Sequence, residues 1–238
     1  MEEGEHRPRV LVVEDDREIA ELVAAYLGRD GALVELVGSA EAGLESAAVT
    51  EPELVLLDLG LPGADGLEFL RAFRARSTAP VIIVSARESD EDKIAGLGLG
   101  ADDFVSKPFS PRVLAARARA QLRRASYPKD AAGHGPGKRL GFGPYSLDLE
   151  ARLLERGGQR VALSRREFEL LAYLALNAGQ TFAPAELYRA VWGLEHGDLS
   201  TVAVHVQRIR RKIEAEPSEP RWLVTVPGQG YRFVPGPS

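Results

Sequence analysis

Short apolar runs and longer amphipathic stretches alternate along the first half of the chain. Four runs have the length and composition of buried strands, and a weaker fifth follows them: Val10–Val13, Leu33–Val37, Leu54–Leu57, Val81–Val84 and Phe104–Val105. Between the runs, apolar residues recur at the spacing of one helix face, as in Ile19, Leu22, Val23, Tyr26 and Leu27. Ser110 followed by Pro111 is typical of a helix N-terminus, here that of the last helix in this half.

This alternation predicts an α/β fold with a doubly wound, five-stranded parallel sheet. In such sheets, ligands bind beyond the carboxyl ends of the strands, where the strand order reverses. The residues that directly follow each strand are therefore the first candidates for chemistry.

The pattern changes in the second half of the chain. Residues 140–162 contain short alternating runs broken by Gly-Pro and Gly-Gly, which predict a small antiparallel sheet: Tyr145–Leu149, Leu153–Glu155 and Val161–Leu163. Ser164 and Glu167 form the pattern of a capping box ahead of an apolar helix. Two further helices are predicted, near Pro184–Trp192 and at about Leu199–Ala215, and a hairpin closes the domain with strands at Leu223–Val226 and Tyr231–Val234. This half is therefore predicted to be an α+β domain.

A stretch of small and turn-forming residues separates the two halves. Ala125–Lys138 is rich in Gly, Pro and Ala and has no apolar periodicity. We therefore predict domains at 8–124 and 139–236, joined by a flexible linker at 125–138.

Charge is shared unequally between the halves. The whole chain has a formal charge of −5, but residues 1–125 carry −8 and residues 126–238 carry +3. Such asymmetry suggests two domains with different partners, although chance is the simpler alternative. The boundary coincides with the predicted linker, which favours two domains.

The composition excludes several classes of protein. The chain has no cysteine, which excludes a disulfide scaffold, a thiolate zinc site and a cysteine nucleophile. The acidic start has no apolar segment of the signal-peptide kind, and no apolar run approaches the roughly 20 residues of a membrane span. We therefore expect a soluble, cytoplasmic protein without a membrane partner.

Polar side chains follow the predicted strands of the first half. Glu14, Asp15 and Asp16 follow the first strand, and Asp58 follows the third. Asp16 is explained as a helix N-cap, and a lone Asp58 would pass for an ordinary loop residue. Ser85 ends the fourth strand and Lys107 follows the fifth, and these are the remaining members of the group.

The residue types at this edge indicate phosphoryl chemistry. Clustered carboxylates favour a hard divalent cation such as Mg²⁺. A metal-bound carboxylate can act as a nucleophile towards phosphorus, and one lysine helps to neutralise the charge that develops.

The motifs VLVVEDD, LVLLDLGLPGADG, VIIVSAR and GADDFVSKPFS resemble the receiver domain of two-component response regulators, which has a flavodoxin-like fold. The resemblance covers residues 8–124 and implies that Asp58 is the phospho-acceptor. It implies an acid pair of Glu14 and Asp15, with Mg²⁺ bound by Asp15, Asp58 and the main-chain carbonyl of Gly60. It also gives Lys107 and Ser85 contacts to the phosphoryl group, makes Ser85 and Phe104 the switch residues, and implies a cis bond between Lys107 and Pro108.

Two features of the first half depart from this resemblance. Gly60 replaces a bulky residue, often Met, so we expect a more open site with faster hydrolysis or easier entry of small phosphoryl donors. Gly96, Gly98 and Gly100 lie where the fourth helix ends, and we interpret them as a frayed, soft helix end that lowers the threshold for switching.

The third helix of the second half carries a basic face. Val202, Val206, Ile209 and Ile213 form its predicted buried stripe, and Thr201, Val204, His205, Arg208 and Lys212 form the opposite side. A basic helix face is often only solvated surface. From these residues alone, a surface that binds double-stranded DNA and a merely solvated surface are both possible.

The motifs ALSRREFELLAYL, ELYRAVWG, STVAVHVQRIRRKIE and VTVPGQGYRF resemble the winged helix-turn-helix effector domain of the OmpR/PhoB family. The resemblance covers about residues 140–234 and implies that the third helix enters the major groove. It implies base contacts by Thr201, Val204 and Arg208. It also implies contacts to the phosphate backbone by five residues: His205, Arg210, Thr225, Tyr231 and Trp192. Ser200, Gln207 and Pro227 replace arginines common at these positions, so we expect modest affinity and a shallow salt dependence.

The same family resemblance implies a homodimer when the protein is phosphorylated, formed through the fourth helix, fifth strand and fifth helix of the receiver. Five charged residues stand at the matching places: Lys93, Asp102, Asp103, Arg117 and Arg124. Val113 replaces an acid that pairs with the equivalent of Lys93 in many members, so we expect a weaker or more apolar dimer. Solvated surface is the alternative interpretation of these charges.

The leading hypothesis is a transcription regulator controlled by phosphorylation of Asp58 by a sensor histidine kinase, in which paired effector domains bind repeated DNA half-sites. The alternative is a constitutive DNA-binding regulator with an unphosphorylated receiver. A stand-alone phosphotransferase or phosphatase would need a substrate lid and a different acid arrangement, so we do not predict an enzyme.

Overall fold

The computed structural model describes residues 6–87, 89–125, 139–193 and 198–236, with the backbone alone at Asp90 and at residues 123–125. The chain divides into two compact units, residues 1–126 and 127–238. None of the helices that the structure describes combines the length and the apolar character needed to cross a membrane.

The first unit is a five-stranded parallel sheet covered by helices. Its strands are β1 (Arg9–Val13), β2 (Leu33–Val37), β3 (Leu54–Leu57), β4 (Val81–Ser85) and β5 (Asp103–Ser106). Its helices are α1 (Arg17–Arg29), α2 (Ala40–Thr50), α3 (Gly66–Arg74), α4 (Asp90–Leu99) and α5 (Pro111–Ala125). The strand order is β2-β1-β3-β4-β5, so the order reverses between β1 and β3. The doubly wound parallel sheet is therefore confirmed.

The strands β3 and β4 are buried along their whole length, as their apolar sequences predict for the centre of a parallel sheet. Helix α1 begins after Asp16, whose carboxylate accepts hydrogen bonds from the amides of Glu18 and Ile19, as predicted for an N-cap. Its buried face differs from the expected one, because Leu22 is exposed and Ala20 lies in the core.

The glycines of α4 have a different role from the predicted one. A Cβ atom at Gly96 would lie 2.3 Å from Cδ1 of Ile83, so this glycine lets the helix pack closely on β4. Gly100 caps the helix with a φ of 120°, a conformation that favours glycine. The interpretation of Gly96 as part of a frayed end is therefore wrong, because the residue lies at a tight helix–strand contact.

The second unit contains two antiparallel sheets and three helices. A four-stranded sheet has the order β6 (Arg139–Phe142), β7 (Tyr145–Asp148), β8 (Leu153–Arg156), β9 (Gln159–Val161). The helices are α6 (Arg165–Leu176), α7 (Pro184–Trp192) and α8 (Ser200–Ile213). Between α6 and α7 lies β10 (Thr181–Phe182), and the wing consists of β11 (Leu223–Val226) and β12 (Gly230–Phe233), in the sheet order β10-β12-β11. The predicted α+β winged helix is confirmed, with β6 and β10 as strands that the sequence pattern did not indicate.

The three helices and both sheets of this unit share one core. The capping box of Ser164 and Glu167 starts α6 as predicted. Apolar side chains from α6, α7 and α8 pack on one another, and Trp222 and Phe233 of the wing region join them. The wing and α8 thus pack on the same core.

Candidate functional site

The carboxylates at the ends of neighbouring strands meet at one edge of the first sheet. Glu14 directly follows β1, where its amide donates to the carbonyl of Val37 at 3.0 Å. Asp58 directly follows β3, where its amide donates to the carbonyl of Val13 at 2.9 Å. Both carboxylates are buried, so the sheet itself places two acids side by side at the reversal point.

Lys107 connects the two acids. Its Nζ atom lies 2.6 Å from Oδ2 of Asp58 and 2.8 and 2.7 Å from the two oxygens of Glu14. The backbone amide of Lys107 donates to the carbonyl of Ser85 at 2.8 Å, which ties the loop after β5 to the end of β4. The bond between Lys107 and Pro108 is cis, as the resemblance implied.

Asp58 is held as a carboxylate. Burial raises the pKa of its side chain, but the amide of Gly60, the Lys107 ammonium and the Ser85 hydroxyl together outweigh burial and hold the pKa below its usual value. The Gly60 amide donates to Oδ1 of Asp58 at 2.9 Å, while Lys107 binds Oδ2. Asp58 is therefore ionised at neutral pH, as a nucleophile must be.

Burial shifts the pKa values of Glu14 and Lys107 in opposite directions, but both pKa values lie above their usual values. Burial raises the pKa of Glu14, and the neighbouring charge of Asp58 raises it further, although Lys107 opposes both effects. Burial lowers the pKa of Lys107, but hydrogen bonds to Asp58 and Glu14 outweigh burial and raise it overall. The lysine therefore stays protonated at neutral pH.

The acid group fits a divalent cation. Glu14, Asp15 and Asp58 each offer one oxygen, and these oxygens lie within 4.8 Å of one another. Asp15 is exposed while the other two are buried, so the site opens to solvent on one side. All-oxygen donors with room for water are the surroundings that Mg²⁺ prefers.

Gly60 leaves space beside the candidate acceptor. A Cβ atom at this position would lie 3.5 Å from Oδ1 of Asp58, an ordinary contact distance. A Cβ atom at residue 60 would therefore fit next to the carboxylate without moving the backbone. The more open site inferred from the sequence remains a prediction, and this geometry supports it.

The two predicted switch residues lie in the interior. Ser85 is completely buried at the end of β4, and Phe104 is buried in β5. The Nζ atom of Lys93 lies 6.0 Å from the centre of the Phe104 ring, so α4 contacts β5 at this residue. Ser85 and Phe104 thus lie on the adjacent strands β4 and β5. Ser85 hydrogen-bonds Asp58, and Phe104 contacts α4 through Lys93.

Three of the five charges predicted to face a partner subunit are engaged within the chain. The Asp102 carboxylate is buried and accepts hydrogen bonds from Nη2 of Arg74 at 2.8 Å and from the amide of Val81 at 2.9 Å. Asp103 is buried and pairs with Nη1 of Arg117 at 2.7 Å. Asp102 and Asp103 are both buried in this conformation, so the subunit contacts predicted for them stay predictions that require these ion pairs to open.

The other two predicted charges are Lys93 on α4 and Arg124 on α5. Lys93 lies beside Phe104, and the side chain of Arg124 lies outside the described residues. Val113, where an acid was expected, is half exposed, as is Ile94 on α4. The surface of α4 and α5 therefore exposes two apolar side chains, Ile94 and Val113. Val113 stands where many family members carry the acid that pairs with the equivalent of Lys93.

Three of the predicted DNA contacts are buried in the second unit. The side chains of Thr201, His205 and Trp192 are completely inaccessible to solvent. Nδ1 of His205 donates to the carbonyl of Thr201 at 2.8 Å, and the imidazole packs edge-on against the Trp192 ring with centroids 5.2 Å apart. The burial of these three side chains contradicts the DNA contacts predicted for them, because none of them reaches the surface of the unit.

The remaining predicted contacts are at or near the surface. Nη2 of Arg210 donates to Oγ1 of Thr225 at 2.8 Å, and its Nε donates to the carbonyl of Leu223 at 2.8 Å. Tyr231 lies opposite Thr225 in the hairpin register. Arg210, Thr225 and Tyr231 are thus brought together at the junction of α8 and the wing, a polar corner suited to one phosphate.

Sequence reasoning missed two carboxylates that shape this surface. The buried Glu167 of α6 binds Nε of Arg208 at 2.9 Å and Nζ of Lys212 at 2.6 Å, both on α8. Glu214 accepts hydrogen bonds from three successive amides, those of Arg221, Trp222 and Leu223, each at 2.9 Å. The capping-box pattern signals Glu167 only as a cap, and no pattern signals the contact of Glu214 with the start of the wing.

The chain is similar to known proteins in both units. Residues 10–119 match the family model described as the response regulator receiver domain, and residues 158–233 match the one described as transcriptional regulatory protein, C terminal. The sensory transduction protein RegX3 of Mycolicibacterium smegmatis is 43% identical over 225 residues, which cover 94% of this chain and 98% of that protein. The KDP operon transcriptional regulatory protein KdpE of Escherichia coli is 41% identical over 228 residues, covering 94% of this chain and 98% of that protein.

A solved structure is also similar over nearly the whole chain. The response regulator DrrB, an OmpR/PhoB homolog of Thermotoga maritima, is 30% identical and superimposes with a TM-score of 0.52. The alignment covers 96% of this chain and all of that one.

Proposed function

Because the chain belongs to the OmpR/PhoB family of response regulators, we propose that phosphorylation of Asp58 switches the DNA binding of its second unit. The chain is a phosphorylation-controlled transcription regulator of a family of DNA-binding proteins. The observation that carries the assignment to Asp58 is its position between Lys107, the Gly60 amide and the Ser85 hydroxyl.

The proposed reaction is a phosphoryl transfer from the phosphohistidine of a sensor kinase. An oxygen of Asp58 forms a bond to phosphorus while the phosphorus–nitrogen bond breaks, and the electron pair of that bond stays on the imidazole. Lys107 balances the charge on the phosphoryl oxygens, and Ser85 donates its hydroxyl to one of them.

A magnesium ion belongs to this proposal. Asp15, Asp58 and the Gly60 carbonyl would hold it, with Glu14 as the second member of the acid pair. It supplies positive charge to the oxygens of the reacting phosphoryl group. Lys107 releases Glu14 and Asp58 from direct pairing as it turns towards the new phosphate.

The signal then passes through Ser85 and Phe104 to the α4–β5–α5 surface, where two receivers form a homodimer. Lys93, Asp102, Asp103, Arg117 and Arg124 remain the candidate charges of that interface, and Ile94 and Val113 are its apolar candidates. Asp102, Asp103 and Arg117 would first have to leave their ion pairs within the chain. When two receiver domains (8–124) pair, their winged-helix domains (139–236), each joined by its linker (125–138), bind repeated DNA half-sites together. We place this cycle in the cytoplasm, because its DNA target is there.

Replacing the acceptor tests the proposal. Full-length protein is treated with beryllofluoride and Mg²⁺, and its size and its binding to duplex DNA are measured. We expect the wild type to dimerise and to bind DNA more tightly after treatment, and Asp58→Asn to do neither, because the amide offers no oxygen anion for the phosphoryl mimic.

Asp30→Asn is the matched control, since Asp30 lies at the end of α1 and pairs with Arg119. It should respond as the wild type does. If Asp58→Asn binds DNA as tightly as the treated wild type, the constitutive regulator is the better assignment and phosphorylation of Asp58 is not the switch.

A further inference from the structure

The exposed face of α8 differs from the face that the sequence pattern suggested. The side chains buried in the core come from one half of the helix: Thr201, Val202, His205, Val206, Ile209 and Ile213. Opposite them, at helical spacing, lie five residues that are at least partly accessible: Ser200, Ala203, Val204, Gln207 and Arg211. Arg208, Arg210 and Lys212 are also partly accessible and lie at the flanks of this half. The five residues opposite the core are the face that α8 offers to a major groove.

Gln207 lies at the middle of the accessible face. At about 100° per residue, it stands roughly 200° around the helix from Ile209, which is fully buried. It also lies one turn from Ala203 and Val204 towards the N-terminus and one turn from Arg211 towards the C-terminus. A helix that enters the groove with this face therefore brings Gln207 to the base edges.

Three of the cations near Gln207 are held by other parts of the fold, whereas Arg211, one turn away, is exposed. Arg208 and Lys212 bind the buried Glu167, and Arg210 binds the wing at Leu223 and Thr225. Across the part of the chain that the structure describes, the Gln207 amide makes no hydrogen bond. It is thus a half-buried donor and acceptor pair at the centre of the face.

We propose that Gln207 is a base-contacting residue that selects adenine at one position of each half-site. A glutamine amide can accept from N6 of adenine and donate to N7 at once, a pairing that no other base offers in the major groove. Ala203 and Val204, one turn away, are apolar and suit the methyl group of a thymine. The inference rests on the proposed function, because it requires that α8 binds DNA.

Selection from a random duplex library tests the inference. The full chain, activated with beryllofluoride and Mg²⁺, is used to select sites, and the affinity for the selected duplex is compared with that for each single-base substitution. For the wild type, replacing the selected adenine is expected to weaken binding about 5- to 100-fold.

Two substitutions of Gln207 identify the residue responsible. Gln207→Ala should bind the adenine duplex and its substituted forms alike, with the other positions of the site unchanged. Gln207→Arg should change the preference at that position to guanine, which arginine contacts through O6 and N7. This second variant gains a preference, so a misfolded protein could not produce the result.

Gln159→Ala is the matched control, because Gln159 is an exposed glutamine of β9. It should keep the wild-type preference at every position. The inference is overturned if Gln207→Ala keeps the wild-type preferences, or if it weakens binding to all sequences equally, as a phosphate contact would. If the activated wild type binds no duplex, the proposed function fails and the inference fails with it.

Discussion

Asp58, Glu14 and Lys107 show how three side chains of ordinary types acquire a chemical role. One ammonium lies within hydrogen-bond distance of two buried carboxylates, so two negative charges share one positive charge. Hydrogen bonds from the Gly60 amide and the Ser85 hydroxyl lower the pKa of Asp58, whereas Glu14 has a raised pKa because it is buried beside that charge. These opposite shifts support the proposed roles, in which Asp58 is the nucleophile and Glu14 adds to a negative charge that suits a cation.

At the scale of single residues, we predict that Gly60→Met slows the loss of phosphate from Asp58. The side chain would begin 3.5 Å from Oδ1 of Asp58 and restrict the approach of water to the acyl phosphate. The measurement is the rate of phosphate release from purified phosphorylated protein.

Gly28→Met is the control for this comparison, since Gly28 lies on α1 and a Cβ atom there would have no neighbour within 4 Å. It should hydrolyse at the wild-type rate. Equal rates in wild type and Gly60→Met would show that residue 60 does not control access to the acyl phosphate.

At the scale of elements, the contact between α6 and α8 determines which side of α8, the proposed DNA-binding helix, faces outwards. Burial raises the pKa of Glu167, but the charges of Arg208 and Lys212 outweigh burial and hold the pKa below its usual value. Glu167 also accepts the amide of Ser164 at 2.6 Å, so one carboxylate caps α6 and holds α8. The rotation of α8 about its own axis is therefore set by a charge interaction as well as by apolar packing.

We predict that Glu167→Gln destabilises the second unit at neutral pH by about 3 kcal/mol, because two cations lose their buried partner. The pKa of Glu167 is lower in the folded state than in the unfolded state. Its contribution to stability is therefore fully present above the unfolded value of about 4.3 and is lost as the pH falls through the folded value. The difference between wild type and variant should be largest near pH 7 and should shrink below about pH 4.

Denaturant unfolding followed by tryptophan fluorescence makes this measurement, since both tryptophans of the chain, Trp192 and Trp222, lie in the second unit. Glu219→Gln, at an exposed position, should match the wild type at every pH. A difference between wild type and Glu167→Gln that does not depend on pH would mean that the loss is one of packing rather than of charge.

At the scale of the whole molecule, the two halves of the chain carry net charges of opposite sign. The first half carries −8 and contains the acid cluster, and the second carries +3 and contains the proposed DNA-binding helix. Part of that positive charge is used within the fold, because Arg165 and Arg166 bind Glu169 while Arg208 and Lys212 bind Glu167. A single second unit is therefore expected to bind DNA weakly, so that pairing of two units matters.

We predict that Pro227→Arg strengthens DNA binding and makes its salt dependence steeper by roughly one unit of slope, through one added phosphate contact. Pro227 is exposed in the turn between β11 and β12. The measurement is the dissociation constant of the full chain on one duplex over a series of salt concentrations.

Gln159→Arg adds the same charge on β9 and controls for net charge. Its slope should equal that of the wild type. If Pro227→Arg and wild type share both affinity and slope, the wing does not approach the phosphate backbone.

Strands and helix starts could be predicted closely because their signals are local. The predicted runs Leu33–Val37 and Leu54–Leu57 coincide with β2 and β3, and the Pro184–Trp192 helix coincides with α7. The positions of Glu14, Asp58 and Lys107 at one edge of the sheet followed from the strand order of a doubly wound fold. The face of α8 could not be predicted, because polar residues such as Thr201 and His205 entered the core beside the apolar stripe.

The sequence by itself determined the order of the elements, the two domain types and the acids that follow the strands, because these depend on neighbouring residues and on the regular geometry of a parallel sheet. Only the tertiary structure decided which charges remain for partners. Glu167 meets Lys212 across 45 positions of chain, and Asp102 meets Arg74 across 28. Such pairs form when distant elements pack, so a basic helix face in the sequence became, in the fold, a face centred on Gln207.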